Sequence, residues 1–278
     1  MSEEPYAGLA TTFDRAAELY EQVRPVYPPE LFDDLAALVG PPAAAARVLE
    51  IGPGTGQATR GLLARGWSVV ALEPGQELAR VARRVLTRLG DVDIVVAAFE
   101  RWQDGAEASF DLVVAATSWH WLDPAVAYRR AAELLRPGGS LAIVSTAHVL
   151  PEADGDPFFR EVEQAYEAVG MSDGQGGPPP PAAVQAPDVA AIEDSGFFDP
   201  PTVRRYLSSR SYSAQEYLAL LATYSGHVAA SADQRDQLFA DIRHRIDGRP
   251  SASVLKHYLN ILQVARHAGG PTGNRVPE

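Results

Sequence analysis

The stretch that decides the fold is VLEIGPGTGQATRGLL, which runs from Val48 to Leu63. It begins with a short apolar run, continues with three glycines at every second position, and ends with residues that favour a helix. This order predicts a buried strand over 47–52, a tight glycine turn, and a helix over 55–65. The question is which ligand such a turn would hold.

Two familiar classes of glycine loop do not fit this turn. A dinucleotide fingerprint spaces its glycines as G-x-G-x-x-G, and a Walker loop ends in G-K-[ST]. Here Gly52, Gly54 and Gly56 alternate with other residues, and the single lysine of the chain is the distant Lys256. Glu50, two residues before the first glycine, would oppose a phosphate. The loop therefore favours a ligand with a cationic amino group.

A second carboxylate ends the next predicted strand, which covers Trp67–Glu73. A carboxylate at such a strand end can accept hydrogen bonds from both hydroxyls of a ribose. Glycine turns and strand-end acids are each common. Their combination at this spacing indicates a nucleoside ligand.

The first half of the chain alternates strands with helices. Such alternation predicts a doubly wound, mostly parallel sheet with right-handed crossovers. Further strands are predicted over 92–97, 110–116 and 140–146, and helices over 76–89 and 124–135, the last ended by RPGG at 136–139. Later come helices over 157–169, 214–224 and 232–246, and strands over 202–212 and 253–267.

We interpret the chain as one α/β domain over 1–278 with a helical cap. Its expected parts are an N-terminal helical leader over 1–45, a cofactor-binding core over 46–147, a cap insertion over 148–200, and C-terminal strands and helices over 201–278. The cap contains SDGQGGPPPPAAVQAP, Ser172–Pro187. Its prolines and glycines exclude regular structure, which leaves a plain linker or an active-site cover as alternatives.

Composition excludes several classes of function. The net charge is −12 with no long basic run, so nucleic acid and anionic membranes are not expected partners. The absence of cysteine removes disulfides, thiolate zinc sites and a cysteine nucleophile. No apolar run reaches spanning length, and the acidic opening residues contain no apolar signal core, so we expect a soluble, cytoplasmic protein. The histidines have no metal-ligand spacing, and we expect no metal.

Four segments together resemble the successive motifs of class I S-adenosylmethionine-dependent methyltransferases: VLEIGPGTG, VVALEPG, FDLVVAATSWHWLD and LLRPGGSLAIV. The leader FDRAAELYEQVRPVYPPELFDDLAALV resembles a small-molecule branch that includes trans-aconitate-type methyltransferases. The resemblance covers nearly the whole chain. It implies a Rossmann-like, seven-stranded sheet with an antiparallel last strand, S-adenosyl-L-methionine as cofactor across the carboxyl ends of the first strands, and a small-molecule acceptor.

The resemblance also implies roles for the residues of the two strand ends. Gly52, Gly54 and Gly56 would let the backbone approach the methionine part of the cofactor. Glu50 would hold its amino group and Glu73 its ribose hydroxyls. The turn beside the adenine would be shaped by Pro74.

Other cofactor contacts are expected around the third and fourth strands and in the leader. Family members usually have a small polar or acidic residue after the third strand, but this chain has Ala98 and Phe99, so the Phe99 ring and backbone contacts would replace that hydrogen bond. Ala116 at the end of the fourth strand is a further expected contact. In the leader, Arg24 with Tyr20 nearby would pair with the cofactor carboxylate, the alternative being a solvated helix end.

The acceptor site is expected at SWHWLD, Ser118–Asp123, where the family's fourth-strand loop lines the substrate pocket. Related carboxyl methyltransferases often have a His-Trp pair there, which makes Trp119, His120 and Trp121 the candidate catalytic residues. A carboxylate acceptor is already ionised and needs no base, whereas a hydroxyl or protonated amine needs one. His120 would orient the acceptor in the first case and remove a proton in the second, and one or both tryptophans would otherwise pack under the cap.

These observations favour methylation of a small molecule, with a carboxylate oxygen as the first acceptor. The excess of arginine over lysine is typical of a GC-rich genome, which admits secondary metabolism. One alternative is N-, C- or hydroxyl O-methylation with His120 as the base. The other is a protein of this fold with changed chemistry or with none.

Overall fold

The computed structural model describes residues 17–40, 46–104 and 107–269. Parts of the predicted leader, 1–16 and 41–45, lie outside the described residues, as does the end of the C-terminal segment, 270–278.

Strands and helices alternate through the first half of the described chain. They are α1 Ala17–Val23, α2 Pro29–Val39, β1 Arg47–Ile51, α3 Gln57–Leu63, β2 Ser68–Leu72, α4 Gln76–Leu86, β3 Val92–Val95, β4 Phe110–Ala116, α5 Pro124–Leu134 and β5 Leu135–Val149. Single 3-10 turns follow β3 and β4, at Phe99–Arg101 and Trp119–Trp121.

The second half contains shorter helices and two long strands. They are α6 Phe158–Glu161, α7 Glu163–Ala168, α8 Val189–Asp194, β6 Thr202–Ser213, α9 Ala214–Leu221, α10 Ser225–Ala229, α11 Ala232–Asp247 and β7 Ser253–Arg266. The proline-rich segment at 172–187 has no helix or strand beyond one 3-10 turn, Pro181–Ala183.

The seven strands form one sheet in the order β3-β2-β1-β4-β5-β7-β6. Neighbouring strands among β1–β5 are parallel, with β1 between β2 and β4. This is the predicted Rossmann-like fold class. The chain moves outward from β1 through β2 to β3 and then returns to the other side of β1, so a crevice opens at the carboxyl ends of β1 and β4.

The central strands are apolar because helices cover both faces of the sheet. In β1, Val48 belongs to a core cluster that includes residues of α2, α3 and α4, while Leu49 belongs to a cluster with residues of α5 and α8. Successive side chains of a strand point to opposite faces, so Glu50 lies on the face of Val48.

The chain forms two compact units. As far as residues are described, the first consists of Met1–Pro25, Thr146–Gln185 and Leu207–Leu259, and the second of Val26–Ser145, Ala186–Tyr206 and Asn260–Glu278. The second unit contains both clusters named above. The first has its own aromatic core, which includes Phe158, Phe159, Tyr212, Tyr217 and Tyr258.

The helix predicted over 124–135 ends at Leu134, within one residue of the prediction, but RPGG was wrongly expected to follow the helix as a basic turn. It lies inside β5, which begins at Leu135. Pro137 disfavours a helical conformation at Arg136 and cannot donate to a helix itself. The Arg136 guanidinium pairs with the carboxylate of Asp111 at 2.6 Å instead of lying in the last turn of a helix.

Candidate functional site

The ends of β1 and β2 lie side by side at one edge of the sheet. The register pairs Glu50 with Ala71 and Ile51 with Leu72. The backbone N–H of Gly52 donates to the carbonyl of Leu72 at 2.9 Å, so the glycine turn begins directly beside the end of β2. The sequence therefore brings Glu50, the glycine turn and the residue after β2 to one place.

Glu73 holds the glycine turn from the neighbouring strand end. Its carboxylate is 5% exposed and accepts backbone N–H bonds from Gly54 and from Gly75, each at 2.9 Å. A carboxylate has about four acceptor positions, so one side chain can accept several hydrogen bonds at once. That Glu73 holds the loop by hydrogen bonds, besides ending the strand, was not predicted from the sequence.

Two of the glycines are required by the fold itself. Gly52 has φ +65°, and a Cβ there would lie 2.6 Å from the Cβ of Ser118. Gly56 has φ +100°, and its Cβ would lie 2.6 Å from the side chain of Leu86. Both the left-handed conformation and the close contact exclude a side chain at these positions.

Glu50 is a buried carboxyl with unused acceptor capacity. It is 1% exposed, and within the described residues its Oε2 has no hydrogen-bond partner. Burial raises the pKa of Glu50 to about 7, the Thr59 hydroxyl partly opposes this rise, and the charge of Glu73 adds to it. A cationic group bound at this carboxyl would offset the cost of burying its charge and the repulsion from Glu73.

The loop after β4 closes the same edge of the sheet. Ser118 donates its hydroxyl proton to the carbonyl of Ile51 at 2.5 Å, and the hydroxyls of Thr117 and Tyr27 are 2.8 Å apart. Ala116, a predicted cofactor contact, ends β4 and is half-buried. Sequence reasoning missed Ser118 and Thr117 as residues that fix this loop.

Trp119, His120 and Trp121 form the 3-10 turn after β4, and their side chains have different surroundings. Trp119 is 6% exposed and packs against Tyr128, with ring centroids 5.0 Å apart. His120 is exposed and lies against the half-buried Trp121, with centroids 4.7 Å apart. His120 and Trp121 are thus more accessible to a ligand than Trp119, which packs in the core.

The electrostatics of His120 involve a residue far away in sequence. Partial desolvation of the ring lowers the pKa of His120, and the carboxylate of Asp188 opposes this change. Gln263 holds Asp188 by two bonds of 3.1 Å, accepting from its backbone N–H and donating to its carboxylate. Sequence reasoning missed both residues, because no local pattern connects them with His120.

Two predicted adenine contacts differ in accessibility. Phe99 is 2% exposed and packs in the core cluster that includes Phe110 and Trp119. Pro74 is exposed beside the glycine turn. Their contact with a cofactor stays a prediction.

Arg24 and Tyr20 lie in the first unit, whereas Glu50, Glu73 and His120 lie in the second. The Arg24 guanidinium donates to the hydroxyl and carbonyl of Thr223 at 3.0 and 2.8 Å. It also lies 4.6 Å from the ring centroid of Tyr20 and 4.7 Å from that of Tyr224. Its pairing with a cofactor carboxylate stays a prediction.

Two other kinds of site have no counterpart in the described part of the chain. Among those residues, no group of three or more His, Asp or Glu side chains is arranged to hold a metal ion. None of the described helices has both the length and the apolar character needed to cross a membrane.

Comparisons with known proteins show which family the chain is similar to. Residues 49–143 match the family described as a methyltransferase domain. An uncharacterized methyltransferase of Mycobacterium tuberculosis is 43% identical over 136 residues, which are 49% of this chain and 52% of that protein. An uncharacterized methyltransferase of Geobacillus kaustophilus is 31% identical over 160 residues, which are 56% of this chain and 70% of that protein. The chain spans about half the length of the first curated relatives that it matches.

A solved structure shows the same fold. The protein, from Anaeromyxobacter dehalogenans and provisionally named a type II methyltransferase, is 24% identical with a TM-score of 0.60, and the match covers 87% of this chain and 97% of that one. Three findings point to the same family: the match to most of the Geobacillus relative, the match to the methyltransferase domain, and the strand order. The chain therefore belongs to the class I S-adenosylmethionine-dependent methyltransferases, the family whose cofactor is S-adenosylmethionine.

Proposed function

We propose that this chain methylates a small-molecule acceptor with S-adenosylmethionine as the methyl donor, and that the methyl group goes to a carboxylate oxygen. The observation that carries the proposal is the buried carboxyl of Glu50. Its Oε2 lacks a hydrogen-bond partner among the described residues. An unpaired buried carboxyl is costly to a fold, so its position beside a glycine turn supports a bound cationic group.

The residues of the strand ends fit this cofactor. Glu50 would bind the amino group, and Glu73, which the bonds from Gly54 and Gly75 hold in place, would bind the ribose hydroxyls. Among the other cofactor contacts we propose the ring of Phe99, the turn at Pro74, and Ala116. In the first unit, Arg24 and Tyr20 are proposed to bind the cofactor carboxylate.

The bound cofactor supplies a methyl group on a positively charged sulfur. A carboxylate acceptor needs no base, so the protein has to hold one of its oxygens and exclude water. The pKa of His120 lies below its ordinary 6.5, so the ring is neutral at pH 7 and offers one N–H. We propose that this N–H holds the acceptor carboxylate against Trp121 and that Trp119 fixes the turn from the core.

A second candidate is methylation of a hydroxyl or an amine, with His120 as the base. The observation that favours it is again the neutral imidazole, since a neutral ring can accept a proton and the nearby Asp188 would stabilise the resulting cation. Product chemistry separates the two candidates. A methyl ester is cleaved by mild base, whereas an ether or an N-methyl group is not.

The experiment is an assay of the purified chain with labelled S-adenosylmethionine and a panel of small acids, alcohols and amines. The proposal expects labelled product from an acid and release of the label by base. A base-stable product would favour the second candidate. Absence of transfer to any acceptor, with the cofactor bound, would support a protein of this fold with different chemistry.

Two further proposals concern the branch and the cap. Likeness of the leader to trans-aconitate-type enzymes supports a polar organic acid as the acceptor.

The segment 172–187 is held by a 2.9 Å bond from the Leu150 N–H to the Pro179 carbonyl, which supports an ordered cover more than a loose linker. Cleavage there by limited proteolysis should slow when cofactor and acceptor are both bound, and equal cleavage would leave it a linker.

A further inference from the structure

The first unit contains a group of cationic and ionisable side chains that the proposed methyl transfer does not use. Its centre is Lys256, the single lysine of the chain, which lies on β7 and is 2% exposed. The charges of His148 and His227 interact with that of Lys256, and Arg24 adds a further positive charge. We call Lys256, His148 and His227 the Lys256 cluster, which leaves out Arg24 because it is proposed above to bind the cofactor carboxylate.

The described residues supply no counter-ion for Lys256. Its ammonium makes neither a hydrogen bond nor an ion pair with them, and its described contacts are the rings of Phe159 and Tyr258, with centroids 5.3 and 5.4 Å away. Within the described residues, the Arg24 guanidinium bonds to Thr223 and lies against two tyrosine rings. Aromatic faces attract a cation without neutralising it. Among the described residues, no group therefore neutralises an ammonium at Lys256.

Two carboxylates near the cluster interact with groups other than Lys256. Asp154, which is mostly exposed, is 3.7 Å from His257, next to Lys256 in sequence. Glu163 interacts with Tyr166, whose hydroxyl is 2.9 Å from Nε2 of His227. Neither carboxylate bonds to the lysine.

Several polar atoms around Lys256 are also buried and unused. Among the described residues, Nε2 of His148, Nδ1 of His227 and Nδ1 of His257 have no hydrogen-bond partner. The ring of His148 lies against Phe159, with centroids 4.5 Å apart. Buried ring nitrogens without partners are unusual in a folded protein, since most buried polar atoms are hydrogen-bonded. Charged and polar atoms set among aromatic rings match a ligand with a charged end and a flat apolar body.

We propose that the first unit binds a small aromatic carboxylate, with Lys256 pairing with its carboxylate group and Phe159 and Tyr258 contacting its ring. The proposal does not rest on the methyl transfer proposed above. Burial and the Arg24 charge hold the pKa of Lys256 well below its ordinary value. A carboxylate bound beside the amine would raise this pKa again, because it would stabilise the charged form.

The single lysine makes a direct test possible. In protein labelled with carbon-13 at lysine, only Lys256 gives a side-chain signal, and its chemical shift follows the protonation of the amine. Addition of benzoate should shift the titration of this signal to higher pH, while the uncharged benzamide should not shift it. A signal that stays unchanged with benzoate, or moves equally with benzamide, would overturn the proposal.

Variants provide a second and independent readout. Lys256→Met keeps the length of the side chain without its charge, and Arg160→Met removes one charge from an exposed position of the same unit. Benzoate affinity, measured by calorimetry, should fall roughly 10- to 100-fold in Lys256→Met and stay unchanged in Arg160→Met. The affinity of Lys256→Met for S-adenosylmethionine should equal that of the wild type. Equal benzoate binding by Lys256→Met and wild type would contradict the assignment.

The thermal stability of Lys256→Met separates a ligand role from a structural one. If the lysine is kept for a ligand, its replacement by an apolar side chain should raise Tm in the absence of ligand, because an unpaired amine is removed from the core. A large fall in Tm would make Lys256 a structural residue and overturn the proposal. If the variant fails to fold, the wild-type carbon-13 experiment decides alone.

Discussion

The backbone N–H of Gly54 donates a 2.9 Å hydrogen bond to the carboxylate of Glu73, so the end of the second strand holds the loop that follows the first. The second oxygen of the same carboxylate accepts from Gly75. One side chain thus joins two strand ends at the proposed cofactor site. Loop shape and ligand binding are therefore coupled through Glu73.

Replacing Glu73 should affect both the loop and the ligand. Glu73→Ala removes the two backbone contacts and the proposed ribose contacts, and we expect S-adenosylmethionine binding to weaken by about 2–3 kcal/mol. Glu73→Gln keeps one acceptor oxygen and should lose less. Calorimetry on folded variants measures both, and an unchanged affinity in Glu73→Ala would exclude the proposed role.

Alanine at Gly52 should destabilise the fold more than alanine at Gly138. Both glycines have positive φ, +65° and +76°, so each substitution carries a backbone cost of roughly 1 kcal/mol. Only at Gly52 would the new Cβ meet a neighbour, the Cβ of Ser118 at 2.6 Å, whereas Gly138 has nothing within 4 Å. The contact should add about 1–3 kcal/mol to the loss, measured by denaturant unfolding.

The same clash has an internal control. Ser118→Gly removes the atom that the new Cβ would meet, so the double variant Gly52→Ala/Ser118→Gly should recover part of the lost stability beyond additivity. Strictly additive losses would show that the contact does not set the requirement for glycine.

The sequence predicted much of the fold because the decisive signals are local. The run from Val48 to Ile51 is buried on both faces and needs no distant information to be recognised as a central strand. The glycine turn and the strand-end acids likewise belong to short segments. The sequence therefore sufficed for the class of fold and for the position of Glu50 and Glu73 at one edge.

What the sequence did not predict depends on contacts between distant residues. Asp188 and Gln263 meet at 3.1 Å although 75 positions separate them. The start of β5 at Leu135 was missed because it depends on the pairing of β4 with β5, where Phe110 lies opposite Leu135 and Arg136 pairs with Asp111. The pattern of a strand likewise does not tell which residues surround Lys256.

The stability of the chain should depend on the ionisation of Glu50. Its pKa of about 7 in the fold lies above the ordinary 4.5, so the folded state retains the proton longer than the unfolded state does. The free energy of unfolding should fall as the pH rises from about 4.5 to 7 and stay lower above pH 7. The total loss is about 3 kcal/mol, because each unit of difference between the two pKa values corresponds to about 1.36 kcal/mol.

A matched pair of variants isolates this effect. Glu50→Gln should lack the loss and be more stable than wild type at pH 8, whereas Glu77→Gln at an exposed position of α4 should behave as wild type. Denaturant unfolding at pH 5 and pH 8 supplies the comparison. If Glu50→Gln loses as much stability between pH 5 and pH 8 as the wild type does, the loss belongs to another group.

The role of His120 should be visible in the pH dependence of kcat. If the acceptor is a carboxylate, His120→Gln should retain part of the rate, and wild-type kcat should show no limb from deprotonation of the acceptor. If the acceptor is a hydroxyl or an amine, the substitution should cost roughly 10²–10⁴-fold, and kcat should rise through the pKa of an imidazole. A limb present in wild type and lost in His120→Gln would contradict carboxylate methylation.

The most direct test of the account is the affinity for S-adenosylmethionine as a function of pH in wild type and Glu50→Gln. Between about pH 5.5 and 7.5 the α-amino group of the ligand is a cation, because its ordinary pKa is near 8. The wild-type carboxyl loses its proton through about pH 7, so binding should tighten with rising pH, by at most about tenfold per pH unit. Glu50→Gln should bind more weakly at pH 7.5 and show no such dependence, while His120→Gln should keep it. An affinity and a pH dependence in Glu50→Gln equal to those of the wild type would contradict the account.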